Sequence, residues 1–290
     1  MTRQAFLRTI WLARMVFFPV LAGLLVFWRY EAPSHYLWIN LAAFLLGLVA
    51  IHLGRLPSKG GGRHTLGLVL IALLALPLVT GPHVEGVARW IALGPVQLNT
   101  GLLVLPLLAV LALRDERTGW LYLAAALPLA VLQPDAAAVM AVTGTLALFA
   151  IVHRRYWVLA IALAGLPATM FALQRGVLPP VPFVEGVVPM LWQEIGVPIH
   201  ASAMALAPVV ALLYFLMEQS IRRHDGLALA SVLTGFYLAS FIGPYPYPLA
   251  GYGAASILGF MIAIAATPRS GETERGVRAP PKPGPASPAD

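Results

Sequence analysis

Charged side chains are scarce in this sequence, so a carboxylate that lies among apolar residues is a candidate for chemistry. The stretch 174–198 is largely apolar and holds two of them, Glu185 and Glu194. Partial burial would raise the pKa of the Glu185 carboxyl toward a value that suits a general base. For Glu194 a structural role is the simpler interpretation, because its carboxylate could cap a helix or pair with Arg175.

A cation and an aromatic side chain stand side by side at Arg89 and Trp90, within the segment 86–94 that reads GVARWIALG. A guanidinium offers a fixed fork of donors that suits an anionic group such as a lipid diphosphate. The alternative is an anchor at the membrane interface, where Trp and Arg side chains keep their polar ends in water. The sequence leaves both interpretations open.

Two further polar clusters interrupt the apolar sequence. Gln133, Pro134 and Asp135 form the first, and Pro followed by Asp is typical of a helix start, so a tight turn explains it without chemistry. The second is Pro244–Gly253, which reads PYPYPLAGYG and includes Tyr252. Such a break is either a turn at the interface or the wall of a cavity, because non-helical backbone at membrane depth must be buried or line water.

The elements that position these residues are predicted to be membrane helices. Of the 290 residues, 59% are hydrophobic and 11% charged, with a mean hydropathy of +0.81, whereas soluble domains have about 25% charged residues. The apolar blocks do not alternate as β-barrel strands do. We therefore expect an all-α polytopic bundle of about ten transmembrane helices. The predicted spans are Ile10–Trp28, Tyr36–Leu53, Thr65–Thr80, Ile91–Leu113, Gly119–Leu132, Ala136–Val152, Tyr156–Leu173, His200–Met217, Leu227–Gly243 and Tyr252–Thr267.

Basic residues are concentrated in every second segment that connects these spans. If the N-terminus is cytoplasmic, fifteen of the 19 Lys and Arg residues fall on the cytoplasmic side, as the positive-inside rule requires. We therefore predict that both termini are cytoplasmic. The outer face then carries only Arg29, Arg89 and Arg175, while Arg14 lies within the first span. The four polar clusters all fall on this outer face.

Two domains of unequal size are predicted. Residues 1–267 form the transmembrane domain, with a long outer loop at 174–198, and residues 268–290 form a Pro- and Gly-rich cytoplasmic tail whose composition is typical of disorder.

Metal and nucleotide chemistry have no support in the sequence. There is no Cys, and the His residues lack metal-ligand spacing. The net charge of +7 is explained by basic loops rather than by nucleic acid. We expect no cofactor, although a divalent cation stays possible.

Together, the polar clusters resemble motifs of the SEDS family of shape, elongation, division and sporulation proteins. Gly86–Gly94 is similar to the family's Gly-x-x-Arg-Trp-Ile-x-Leu-Gly, and Gln133–Asp135 to its Gln-Pro-Asp-Leu-Gly-Thr. Gln193–Gly196 is similar to Glu-Glu-Leu-Gly, and Tyr247–Ser256 to Leu-Pro-Phe-x-Ser-Tyr-Gly-Gly-Ser-Ser. The matches keep the family's order and extend over most of the chain from position 86 to 267.

The resemblance implies an activity and a location. SEDS proteins of the RodA and FtsW types polymerise peptidoglycan strands from lipid II at the outer face of the bacterial cytoplasmic membrane, in cell elongation or division, usually with a class B penicillin-binding protein. The resemblance places Glu185 at the family's essential Asp, as the group that takes the proton from the acceptor sugar hydroxyl. It implies substrate-binding roles for Arg89, Trp90, Gln133, Asp135, Glu194 and Tyr252.

Departures from the family pattern support other functions. The family's Gln-Pro-Ser-Glu-x-x-Lys stretch is replaced by residues 97–103, QLNTGLL, which lack its acid and its base, and Ala137 and Ala138 replace the Gly-Thr after Gln-Pro-Asp. One alternative is therefore a catalytically inactive SEDS-like scaffold or regulator of a cell-wall complex. A lipid flippase or transporter is a third candidate, although such proteins place charges near the membrane midplane.

Overall fold

The computed structural model describes residues 3–54, 60–94, 96–187, 190 and 199–267. The predicted tail at 268–290 and Glu194 lie outside the described residues.

Helices make up about three quarters of the described residues, and one short β-hairpin is present. In chain order the elements are α1 (Arg3–Arg29), α2 (Ser34–Leu53), α3 (Gly60–Ala75), α4 (Pro77–Thr80), β1 (Trp90–Leu93), β2 (Val96–Asn99), α5 (Thr100–Arg114), α6 (Gly119–Leu132), α7 (Ala136–Val152), α8 (Val158–Arg175), α9 (Ile199–Met217), α10 (Arg223–Ile242) and α11 (Ala254–Ala265).

The helices agree with the predicted all-α polytopic membrane bundle. By length and composition, five of the described segments can cross a membrane: Phe6–Arg29, Ser34–Leu53, Gly61–Thr80, Val158–Arg175 and Arg223–Ile242. Five shorter helices are also apolar: Thr100–Arg114, Gly119–Leu132, Ala136–Val152, Ala201–Met217 and Ala254–Ala265. Each of the ten predicted spans overlaps one of these segments.

The start of the fourth predicted span is not helical. The prediction of one span over Ile91–Leu113 is wrong at its beginning, because Trp90–Leu93 and Val96–Asn99 pair as antiparallel strands before α5 begins at Thr100. Gly94 ends the first strand with a φ of 60°, a conformation that glycine adopts readily and that hairpin turns require. The first strand is apolar, as a membrane helix would be, whereas Gln97 and Asn99 make the second strand half polar.

Two central helices organise the bundle. α5 and α7 are buried over most of their lengths; α7 packs against α8 and α10, and α5 packs against α10 and α11. At the end of α5, Arg114 pairs with Asp225 through Nε–Oδ1 and Nη2–Oδ2 contacts of 2.7 and 2.6 Å. Arg114 also donates from Nη1 to the Ala266 carbonyl oxygen at 3.2 Å. This buried ion pair therefore joins α5, α10 and α11 at the end of the bundle opposite to the hairpin.

Candidate functional site

The β-hairpin fixes the backbone on both sides of Arg89. Thr100 donates its backbone N–H to the Arg89 carbonyl oxygen at 3.0 Å, so the residue before β1 is tied to the first residue of α5. Asn99 ends β2 and caps α5, because its Oδ1 accepts the Leu102 N–H at 2.9 Å. Trp90 faces Asn99 across the strand pair.

Asp135 connects the hairpin to α7. Its Oδ1 accepts the Ala138 N–H at 3.1 Å as the N-cap of α7, and its Oδ2 accepts from Asn99 Nδ2 at 3.2 Å. Gln133 donates from Nε2 to the Leu74 carbonyl oxygen of α3. The interpretation of this cluster as a helix start is thus confirmed. Neither Gln133 nor Asp135 lines the cavity described below, and their role in substrate binding stays a prediction.

Glu185 lies in a tightly folded turn within the segment 176–187, which we call the carboxylate loop. The Val181 carbonyl oxygen accepts backbone N–H donors from residues 184, 185 and 186, at 3.1, 3.2 and 3.0 Å. In return, the Val181 N–H donates to Glu185 Oε2 at 3.2 Å. Phe183 anchors the turn, since its ring lies 5.8 Å from that of Phe27 and 6.4 Å from that of Tyr36.

Residues 243–253, which we call the Tyr-Pro segment, hold the carboxylate loop in place. Tyr247 and Tyr252 donate their backbone N–H groups to the carbonyl oxygens of Val184 and Phe183, at 3.0 and 2.7 Å. Asn40 of α2 holds the segment from the other side, since its amide donates to the Gly251 carbonyl oxygen and accepts the Gly253 N–H, each at 3.0 Å.

These segments and α2 enclose a cavity of about 240 Å³. Trp90, Gln97 and Asn99 line it from the hairpin, and Glu185 lines it from the carboxylate loop. Its aromatic wall is a pair of stacked rings, Tyr36 and Tyr252, whose centroids are 3.7 Å apart at an interplanar angle of 6°. The Tyr-Pro break is therefore the wall of a cavity, one of the two alternatives that the sequence left open.

Glu185 also lines a second cavity, of about 590 Å³, between the carboxylate loop and the end of α10. Burial raises the pKa of the Glu185 carboxyl above its usual 4.5, while the Val181 N–H and the nearby Arg89 cation act in the opposite direction. The predicted direction of this shift is confirmed. A carboxylate between two cavities, with a raised pKa, can accept a proton from a bound hydroxyl group.

Arg89 is completely buried, at 0% exposure. Its guanidinium lies between two aromatic rings, 4.6 Å from the centroid of Trp90 and 5.2 Å from that of Tyr245. By distance and angle, none of its three guanidinium nitrogens makes a hydrogen bond to another described residue, although the Tyr245 hydroxyl and the Glu185 carboxyl are near enough to interact with it electrostatically. The interfacial-anchor interpretation is wrong, since such an anchor keeps its guanidinium in water. A buried cation without an anion is costly unless a ligand supplies one.

The structure thus brings together four of the predicted site residues, Arg89, Trp90, Glu185 and Tyr252. Sequence reasoning missed Tyr36 and Asn40 of α2. Asn40 carries a detectable signal, because an amide within an apolar span is unusual, whereas Tyr36 resembles any aromatic residue at a helix end. Within the described ranges, no three His, Asp or Glu side chains group closely enough to hold a metal ion.

No family model and no curated protein matches this sequence. Solved structures do. The crystal structure of the rod shape determining protein RodA of Thermus thermophilus superposes with a TM-score of 0.60 at 20% identity, over 88% of this chain and 93% of that one. A single-residue variant of the same protein gives the same TM-score and identity.

A third solved structure that superposes on this chain comes from a peptidoglycan synthase complex. That complex is described as coordinating polymerization and crosslinking. The TM-score is 0.56 at 20% identity, over 87% of this chain and 94% of that one. These likenesses show a polytopic helical fold, and the apolar helices of the chain agree with an integral membrane protein. More particularly, the fold is that of RodA.

Proposed function

We propose that this chain is a glycosyltransferase that polymerises lipid II, or a related polyprenyl-diphosphate-linked saccharide, into glycan strands at the outer face of the bacterial cytoplasmic membrane. The observation that carries the proposal is the placement of Glu185 at a cavity whose Trp90 wall lies against the buried Arg89 cation, which makes no geometric hydrogen bond to another described residue. The RodA-like fold supports it.

Glu185 is the proposed general base. Its carboxylate takes the proton of the acceptor sugar hydroxyl as that oxygen forms a bond to the anomeric carbon of the donor. The bond between the anomeric carbon and the diphosphate oxygen breaks, and the polyprenyl diphosphate leaves with the bonding electron pair. A raised pKa makes Glu185 a stronger base than an ordinary carboxylate, provided that it is ionised.

Arg89 is the proposed partner of the diphosphate. A guanidinium suits phosphate oxygens because it offers several donors in one plane. Arg89 lies behind Trp90 and not in the cavity itself. Direct contact with a diphosphate therefore requires the Trp90 side chain to move, and without such movement the stabilisation is electrostatic.

The remaining predicted residues take different places in this proposal. Asp135 is a positioning residue, since it holds Asn99, which lines the cavity. Tyr252 and Trp90 contribute walls that fit the apolar faces of a sugar ring. Gln133 connects the end of α6 to α3 through its hydrogen bond to the Leu74 carbonyl oxygen, and Glu194 remains a predicted substrate ligand.

A class B penicillin-binding protein is the proposed partner, because the similar chain from a peptidoglycan synthase complex is described as coordinating polymerization with crosslinking. The reaction as proposed needs no cofactor from the protein.

The test is polymerisation of lipid II by the purified chain in liposomes, alone and with a candidate transpeptidase. We expect Glu185→Gln to reduce polymer formation by about 100-fold or more, as loss of a general base does. Glu85→Gln is the matched control, because Glu85 is an exposed carboxylate in the segment before Arg89 and does not line the cavity. Glu185→Gln with full activity would show that another group is the base.

Other outcomes identify the other candidate functions. A chain that binds the transpeptidase stably but makes no polymer is a scaffold or regulator. Lipid flipping in the same liposomes without polymer identifies a flippase.

A further inference from the structure

A second charged cluster lies at the other end of α9 from the carboxylate loop, and the proposed reaction does not use it. Arg14 of α1 and Glu218, which directly follows α9, form an ion pair with 2.5 Å between Nη2 and Oε2. The Arg14 guanidinium lies over the Trp11 ring, 3.2 Å from its centroid, and 5.5 Å from the centroid of Tyr214. Trp11, Arg14, Tyr214 and Glu218 are called the inner cluster below.

The inner cluster lines a cavity of about 450 Å³ between α1 and the end of α9. Leu213 and Met217 also line it and are 51% and 74% exposed, so the cavity opens on the outside of the bundle, where lipid lies. Glu218 follows the last residue of the apolar helix α9, so the cluster lies at one end of the bundle, where the lipid headgroups are expected. Trp and Tyr side chains are typical of this depth.

Of the two charged groups in the inner cluster, the Arg14 guanidinium is the one that a ligand in the cavity can reach. The Arg14 side chain is 33% exposed, whereas that of Glu218 is 4% exposed. The Glu218 carboxylate is already engaged, since its Oε1 accepts the Ser220 N–H at 2.9 Å and its Oε2 accepts from Arg14. Glu218 engages one of the Arg14 nitrogens, Nη2. The guanidinium has further donors, and the phosphate of a phospholipid is an anion that the membrane supplies at this depth.

We propose that this cavity binds one phospholipid, with its phosphate against Arg14 and an acyl chain along Leu213 and Met217. The bound lipid fills the space between α1 and α9 and holds the two helices together at this end of the bundle. The proposal is independent of the catalytic function.

The experiment is native mass spectrometry of the full chain in detergent, with a phospholipid and a diacylglycerol of identical chains at equal concentration. We expect the phospholipid adduct to exceed the diacylglycerol adduct several-fold. Arg14→Gln abolishes this preference. Leu213→Trp removes the adduct by filling the cavity while the ion pair stays in place. Arg175→Gln is the matched control, because Arg175 also lies over an aromatic ring, that of Phe171 at 4.4 Å, at the opposite face.

Several results would overturn the proposal. Equal adducts of the two lipids would mean that the cavity binds acyl chains without recognising phosphate. A folded Leu213→Trp variant that keeps the adduct would place the lipid elsewhere. Displacement of the phospholipid by inorganic phosphate at millimolar concentration would show that a free anion, not a lipid, is the ligand. If the Arg14→Gln variant fails to fold, loss or retention of the adduct in the Leu213→Trp variant tests the proposal.

Discussion

Glu185 and Arg89 carry opposite charges near each other, yet they form no ion pair. Burial favours the neutral form of the Glu185 carboxyl, and the Arg89 cation favours the ionised form. A direct ion pair would make the carboxylate a weaker base, because the cation would hold its pKa low. The separation therefore keeps the pKa of Glu185 raised and leaves the Arg89 guanidinium available to a second anion.

This arrangement predicts the pH dependence of the reaction. A general base works only when ionised, so polymerisation should decline as the pH falls through the pKa of Glu185, which lies above 4.5. Arg89→Gln removes the cation that lowers this pKa, so the decline should begin at a higher pH and the maximal rate should fall. Arg89→Lys, which keeps the charge, should leave the position of the decline nearly unchanged.

The measurement is the initial rate of polymerisation against pH for the parent chain and both variants. An Arg89→Gln profile that is merely scaled down, with its decline at the parent's pH, would show that Arg89 does not act on Glu185.

At the scale of the elements, the joint between Asn99 and Asp135 links the starts of two central helices. Asn99 caps α5, Asp135 caps α7, and the two side chains are hydrogen bonded to each other. Since Asn99 also lines the cavity, a shift at the start of α7 would be transmitted to the site.

Replacing Asp135 separates its structural role from a role in substrate binding. Asp135→Ala loses the cap, at a cost of about 1 kcal/mol, and leaves the buried Asn99 amide without its acceptor, at a further cost of about 1–3 kcal/mol. Asp135→Asn keeps an oxygen for the Ala138 N–H and should lose less stability. Thermal unfolding in detergent measures the stability of both variants. An Asp135→Asn variant of full stability that no longer polymerises would instead mean that Asp135 contacts substrate.

The helices could be predicted from the sequence and the hairpin could not. The spans are continuous apolar runs, whose length alone indicates a membrane helix. Trp90–Leu93 is also apolar, and the Gly-Pro pair at 94–95 and the polar residues of 97–100 indicate a break before α5 without showing that the chain pairs as strands there. Arg89 was identified as a candidate because cations are rare on the predicted outer face. Its burial depends on Trp90 and Tyr245, which lie far apart in sequence, and no local pattern reveals that contact.

At the scale of the whole molecule, the two ends of the bundle differ in chemistry. One end holds the hairpin, the carboxylate loop and the Tyr-Pro segment, which together enclose the candidate site. The other holds the Arg114–Asp225 ion pair and the inner cluster, together with most of the basic residues that the structure describes. The proposed reaction requires the first end to face outward, because the glycan product lies outside the cell.

The absence of Cys from the sequence allows this orientation to be tested directly. Single substitutions introduce one thiol at each end: His83→Cys in the exposed segment before the hairpin, and Glu116→Cys in the exposed turn between α5 and α6. A membrane-impermeant maleimide should label His83→Cys in right-side-out vesicles and Glu116→Cys in inverted ones, since the positive-inside rule places the basic loops in the cytoplasm. The parent chain, without a thiol, is the control. The reverse pattern would place Glu185 in the cytoplasm and exclude polymerisation at the outer face, whereas labelling of both positions from one side would contradict the bundle topology itself.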